Sequence, residues 1–214
     1  MEGYVLRFKL RGIPVEVEPT FWIATLVLSS HLFTHPLLLA IWVAVVFGSV
    51  LLHEMGHALM ARRLHQSPSI TLHMMGGEAR IVSTGLTPTG DILVSLAGPA
   101  AGFMVGLPLL LLLLAAPTVG AIPVLGPLVH DLVVVNLTWG LLNCLPILPL
   151  DGGHVMLAAL RKAGVASATE RALQITVAVG AAGAVLALVL RQTDLALIGG
   201  FLAGRAFTTL RGGR

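Results

Sequence analysis

The sequence is poor in charge. Asp, Glu, Lys and Arg make up 11% of its 214 residues, against about 25% in soluble globular domains. That shortage excludes an ordinary water-soluble fold. Cysteine is scarcer still. Cys144 stands alone, so no disulfide can close within the chain, and cysteine usage says little about compartment. No basic stub followed by an apolar run opens the chain. Met1–Pro19 is polar and alternating, so no cleavable signal peptide is expected. The net charge of +3 does not indicate nucleic acid as a partner. The arginines sit beside apolar segments, where they act as topology signals.

What fills the chain instead is apolar: 56% of residues are hydrophobic and the mean hydropathy is +0.93. The expected fold class is an all-α polytopic membrane protein of about six transmembrane helices, with a short membrane-associated β-hairpin and N-terminal strands. Residues 1–214 are read as a single integral-membrane domain without an appended soluble domain. Tyr4–Glu18 alternates in two extended runs broken at Gly12-Ile13-Pro14. The apolar segments are Thr20–Phe33, Leu37–Ala61, about Asp91–Ala115, about Leu128–Leu145, about Ala172–Leu190 and about Leu195–Leu210. Between the second and third, Ser69–Met74 and Glu78–Ser83 are strand-like around Met75-Gly76-Gly77, which permits a tight reversal. Gly98, Gly102 and Gly106 form one helical stripe, and Gly200 with Gly204 repeats the device, so close helix approach is expected at both. Arg161, Lys162, Glu170 and Arg171 mark a polar loop. In a six-span arrangement with the N-terminus inside, twelve of the thirteen Lys and Arg residues, Arg214 included, fall on the cytoplasmic side. Only Arg191 falls outside. This favours both termini in the cytoplasm.

Within the second apolar segment stands His53-Glu54-Met55-Gly56-His57. Residues i and i+4 share a helix face, so the two imidazoles point the same way. At that spacing they can bind one zinc ion, with Glu54 as general base on a metal-activated water. A glutamate inside a segment long enough to span a bilayer is costly, which marks it as functional. A catalytic zinc generally has three protein ligands and one open position. Asp151, just past the helix-breaking run Asn143-Cys144-Leu145-Pro146-Ile147-Leu148-Pro149-Leu150, comes to the same membrane depth as the histidines in the six-span arrangement. Gly152-Gly153 lets the backbone turn close to a metal there. Asn143, before the break, is read either as a donor to a developing oxyanion or as an interhelical hydrogen-bond former.

His53-Glu54-x-x-His57 in one span, with Asn143-x-x-Pro146-x-x-x-x-Asp151-Gly152 after a later one, resembles the site-2 protease family of intramembrane metalloproteases. Gly98-Pro99 after the hairpin, and Gly12-Ile13-Pro14 before the first span, also resemble that family. The resemblance covers most of the chain, with the catalytic core at about residues 37–153. It implies one zinc ion per chain held by His53, His57 and Asp151, with Glu54 as the base and Asn143 touching the substrate or the oxyanion. It implies that the substrate is itself a transmembrane protein. The bilayer is the other expected partner, and the cell membrane the expected location, with the active site near its cytoplasmic side.

His31, His35, His65 and His130 fall at predicted span ends and are read as interface residues. His73, His154, Met55, Met74 and Met75 are not read as ligands, and Asn136 is read as packing. A metal transporter or sensor would need a polar path through the bilayer, and an inactive scaffold would have lost Glu54 or a ligand. Neither pattern is present. Because a helical substrate hides its peptide bonds, one strand of the hairpin, Ile70–Met74 or Ala79–Ser83, is expected to pair with the unwound segment.

Overall fold

The computed structural model describes residues 5–82 and 85–212. Tyr4, Ser83 and Arg214, which enter the expectations above, lie outside the described residues. The chain forms two compact units, Met1–Gly85 with Ala97–Leu141, and Leu86–Leu96 with Leu142–Arg214.

The first unit begins with strands β1 (Leu6–Leu10) and β2 (Ile13–Val17), antiparallel, with Leu10 opposite Ile13. The turn residues Arg11 and Gly12 both have positive φ, +51° and +81°, which matches the twist of a two-residue hairpin. Helix α1 (Pro19–Leu28) is short, ten residues, or about 15 Å at 1.5 Å per residue. The apolar run continues to Phe33, yet the helix stops early. The buried hydroxyls of Thr25 and Ser29 donate back to the carbonyls of Phe21 and Thr25, and a 3-10 turn follows over Ser30–Leu32. Helix α2 (Pro36–Arg63) runs 28 residues and carries the HExxH motif in its second half. It leads into β3 (Ser67–His73) and β4 (Gly76–Val82).

The hairpin and the N-terminal strands join in one mixed sheet, in the order β1-β2-β3-β4. β2 and β3 pair in parallel, with Val15, Glu16 and Val17 opposite Ile70, Thr71 and Leu72. β3 pairs antiparallel with β4, from Ser67 opposite Val82 to His73 opposite Gly76. The reversal therefore lies at Met74-Met75, one residue earlier than the glycines suggest, and Gly76 takes the positive φ, +115°. β3 is bonded on both sides over Ile70–Leu72, so this part of the expected strand has no free edge to offer a substrate. β4 keeps one. Alternation sends Ile13, Val15 and Val17 inward, where they meet Ile70 and Leu72 and the inner face of α2 at Val50, Met55 and Ala58. Each fully buried aliphatic here contributes about 1.5–3 kcal/mol. Arg62 at the end of α2 donates to the Arg11 carbonyl, 2.6 Å, and so ties the β1–β2 turn to the same helix. This packing makes the motif-bearing half of α2 the floor of the sheet.

Helices α3 (Pro88–Ala115) and α4 (Leu125–Asn143) contribute their Ala97–Ala115 and Leu125–Leu141 portions to this unit. The glycine stripe does what its spacing predicts. A Cβ on Gly106 would lie 2.6 Å from Leu137 Cδ2, and one on Gly102 would lie 3.3 Å from the Asn136 carbonyl.

In the second unit, α6 (Ala168–Val189) and α7 (Thr193–Gly212) pair through Gly180 and Gly199. A Cβ at Gly180 would meet Ala203 Cβ and the Gly199 carbonyl, both at 3.2 Å. Gly200 and Gly204, the expected contact glycines, have nothing within 4 Å of such a Cβ. The stripe rule fixes the residue type at a close crossing but not which face meets the neighbour. Arg161 and Lys162, expected in a polar loop, instead end a helix, α5 (Asp151–Lys162). It is amphipathic, and its proline- and glycine-rich approach hides it from a search for apolar runs.

Among the described residues, four helices are long and apolar enough to cross a membrane: α2, α3, α4 and α6.

Candidate metal centre

In the first unit, one helical turn of α2 brings His53 and His57 together. Their Nε2 atoms are 3.1 Å apart and their rings stand edge to face, with centroids 4.8 Å apart at 78°. Both are buried, at 4% and 6% exposure. Two neutral imidazoles sharing that approach require one ring to donate to the other. A metal ion held by both rings would take the place of that proton, and 3.1 Å is a separation compatible with two nitrogen ligands of one zinc. The space beside the rings is kept by Gly98 of α3. A Cβ there would run into His57 Nε2 and lie 2.8 Å from His53 Nε2. The glycine stripe thus serves the histidines as well as helix packing.

Glu54 is equally buried, at 4% exposure. Gly77 on β4 faces its carboxylate, and a Cβ at Gly77 would come within 2.7 Å of Glu54 Oε1. The sheet edge therefore passes the expected base with only backbone between. A Cβ on Gly76 would lie 2.9 Å from Trp139 Cζ2, so the indole of α4 covers the start of that strand. Ser49, one turn before His53 on α2, accepts a 2.9 Å hydrogen bond from Asn136 Nδ2, which also donates to the Leu132 carbonyl. Asn136 and Ser49 are buried at 3% and 5% exposure. Asn136 is thus a hydrogen-bonded strut between α4 and the helix of the histidines, not mere packing. A cavity of about 10 Å³ between Ser49, His53, Asn136 and Trp139 has room for about one water molecule.

In the second unit, Asn143 closes α4 and Asp151 opens α5, both half-buried. The loop between them is held by backbone contact. A Cβ at Gly152 would strike the carbonyls of Cys144 and Leu145, and one at Gly153 would lie 2.5 Å from Leu148 N. The two glycines are required by packing, which is a stricter demand than freedom to turn. Partial burial first, and the charge of Asp151 second, push the Cys144 thiol above its ordinary range.

His53, His57 and Asp151 can each offer one ligand atom to a metal ion. Two imidazoles and a carboxylate suit zinc. His31, His35, His65, His130 and His154 are exposed and His73 half-buried, and among the described residues no second group of this kind is found. Sequence reasoning missed the contacts of Gly77 and Gly98 with the site, and the Asn136–Ser49 bond. Only the two small-residue signals were visible, and neither named its neighbour.

Fold and histidine pair together define a helical membrane protein with a metallopeptidase-type zinc helix. Comparison with known proteins makes this specific. The model of peptidase family M50 matches residues 124–187. The chain is 30% identical to the zinc metalloprotease MJ0392 of Methanocaldococcus jannaschii over 164 residues, 75% of this chain and 47% of that protein. It is 35% identical to the putative zinc metalloprotease sll0528 of Synechocystis over 161 residues, 69% of this chain and 41% of that protein. The chain thus spans about half the length, or less, of the curated relatives it matches. The solved site-2 protease from Methanocaldococcus jannaschii superposes with a TM-score of 0.63 at 26% identity, covering 97% of this chain and 95% of that one. The chain is thus similar to peptidases of family M50 and to a solved site-2 protease.

Proposed function

We propose that the chain is an intramembrane zinc endopeptidase that cuts a peptide bond in or near a transmembrane segment of a membrane-protein substrate. The observation that carries this reading is the burial of Glu54 between His53 and His57, within a 28-residue apolar helix. A buried ionisable residue at membrane depth is costly and marks a functional site by default.

His53, His57 and Asp151 would hold the zinc, one ion per chain. Zinc, when bound, supplies a Lewis acid that acidifies water and polarises a carbonyl. Glu54 takes the proton of the attacking water and passes it to the leaving amine. Asn143 donates to the oxyanion that develops on the scissile carbonyl. The free edge of β4 receives the unwound substrate as an added strand. That replaces the backbone hydrogen bonds lost on unwinding, each worth several kcal/mol in lipid. Gly77 supports this placement, since it brings that edge against Glu54.

The core of the protease is about residues 37–153. Its bilayer is the cell membrane, crossed six times with both termini cytoplasmic. α1 with its 3-10 turn, and α7, supply the crossings beyond the four membrane-length helices. Reporter fusions after Arg63, Ala116, Arg161 and Arg191 should read in, out, in and out, and any other order overturns this arrangement.

The activity is tested on protein co-reconstituted with single-span membrane substrates. Wild type and Glu54→Gln should carry equal zinc, and only wild type should cleave. Cleavage by Glu54→Gln at the wild-type rate would remove Glu54 from the mechanism.

A further inference from the structure

Thr176 is the least expected polar residue of the second unit. It lies in the third turn of α6 and is fully buried, at 0% exposure. Its hydroxyl donates to the Ala172 carbonyl at 2.9 Å, as buried serines and threonines in membrane helices commonly do. It also accepts the Leu148 backbone N–H at 3.0 Å, across 28 residues of sequence. Thr25, by contrast, is buried in α1 to 3% exposure, and its hydroxyl donates to the Phe21 carbonyl of its own helix.

Leu148 stands three residues before Asp151, between Pro146 and Pro149, which have no N–H to give. Of the two N–H groups between those prolines, that of Ile147 donates within the loop to the Leu145 carbonyl at 2.7 Å, and that of Leu148 ties the loop to α6. Its immediate surroundings are rigid: Gly153 packs on the backbone of Ile147 and Leu148, and Gly152 on that of Cys144 and Leu145. In an apolar layer an unpaired amide is costly, so losing its acceptor would drive the loop to rearrange. A shift at Leu148 would pass through those glycines to the first turn of α5, where Asp151 sits.

We infer that Thr176 is a positioning residue for the metal centre: its hydroxyl latches the Leu148 amide and so fixes where Asp151 presents its carboxylate. This rests on the reading of Asp151 as a zinc ligand. Partners that orient metal ligands typically change affinity by about 10–100-fold. Thr176 acts one step further out, so a loss near tenfold is expected.

The test measures Co²⁺ and Zn²⁺ affinity, and the visible spectrum of the Co²⁺ form, on the purified full chain. The variants are Thr176→Val, Thr176→Ser, Asp151→Asn, the double variant Asp151→Asn/Thr176→Val, and Thr25→Val as a control. Thr176→Val should weaken metal binding about tenfold and alter the Co²⁺ spectrum, Thr176→Ser should restore both, and Thr25→Val should change neither. In the Asp151→Asn background the valine should add nothing. Hydrogen exchange at the Leu148 amide, faster in Thr176→Val than in Thr176→Ser, reads the latch directly even if the valine variant is less stable. Unchanged metal affinity and spectrum in Thr176→Val, with Asp151→Asn weakened, would overturn the role of Thr176 alone. Unchanged binding in Asp151→Asn would overturn the ligand assignment and this inference with it.

Discussion

The two units hold their candidate ligands by different means. In the first, His53, Glu54 and His57 stand on one continuous helix. Side chains buttress it: the sheet core above, Asn136 bonded to Ser49, and Gly98 and Gly77 making room. In the second, Asp151 follows a broken stretch, and backbone holds it. Gly152 and Gly153 lie on carbonyls of the preceding loop, and one amide is tied to Thr176. A helix can present two ligands because its period sets their spacing. A single ligand after a break needs its loop fastened point by point.

Four outcomes would sharpen or break that contrast. The largest effect is expected from His53→Ala/His57→Ala, which should leave no tightly bound zinc and no cleavage. Stoichiometric zinc in that variant would mean that the helix is not the metal's main support. Glu54→Gln should cost at least about a hundredfold in cleavage rate, the low end for general acid–base catalysis, with zinc content unchanged. Gly98→Ala comes next. Its methyl group would press on the His57 ring, so zinc affinity should fall together with stability, by about 1–3 kcal/mol as for overpacking elsewhere. Gly200→Ala, in open space on α7, should be neutral or stabilise by up to about 1 kcal/mol. Equal melting temperatures for the two variants would contradict the close fit at Gly98. The smallest effect concerns Cys144. The negative charge of Asp151 disfavours its thiolate, so Asp151→Asn should lower the thiol pKa and speed maleimide labelling a few-fold at a fixed, mildly alkaline pH. An unchanged or slower rate would show that the two residues do not sense each other.

Much of the first unit was legible. His53 and His57 announce themselves by the i, i+4 spacing, and the strands by alternation and by Gly12 and Gly76. Their union into one sheet was not, because parallel pairing of Val15–Val17 with Ile70–Leu72 joins segments about fifty residues apart in sequence. Alternation marks a buried face and carries no record of the partner strand. The same limit explains the glycines. The spacing of Gly98, Gly102 and Gly106 signals a close crossing, yet only coordinates show that Gly98 meets imidazole nitrogens. At α7 the same rule chose Gly200 and Gly204 where Gly199 makes the contact. In the second unit Asp151 stood out by its motif, whereas α5 and Thr176 did not. A short amphipathic helix next to prolines reads as loop, and a lone threonine in an apolar span carries no signal of the amide it accepts.

The central claim is that His53, His57 and Asp151 hold one zinc. The X-ray absorption spectrum at the zinc edge of the purified, untagged chain tests it most directly. The account predicts one zinc with two imidazole nitrogens and one carboxylate oxygen at about 2.0–2.2 Å, the oxygen shell reduced in Asp151→Ala. A third imidazole, a sulfur ligand, or a spectrum indifferent to Asp151→Ala would contradict it.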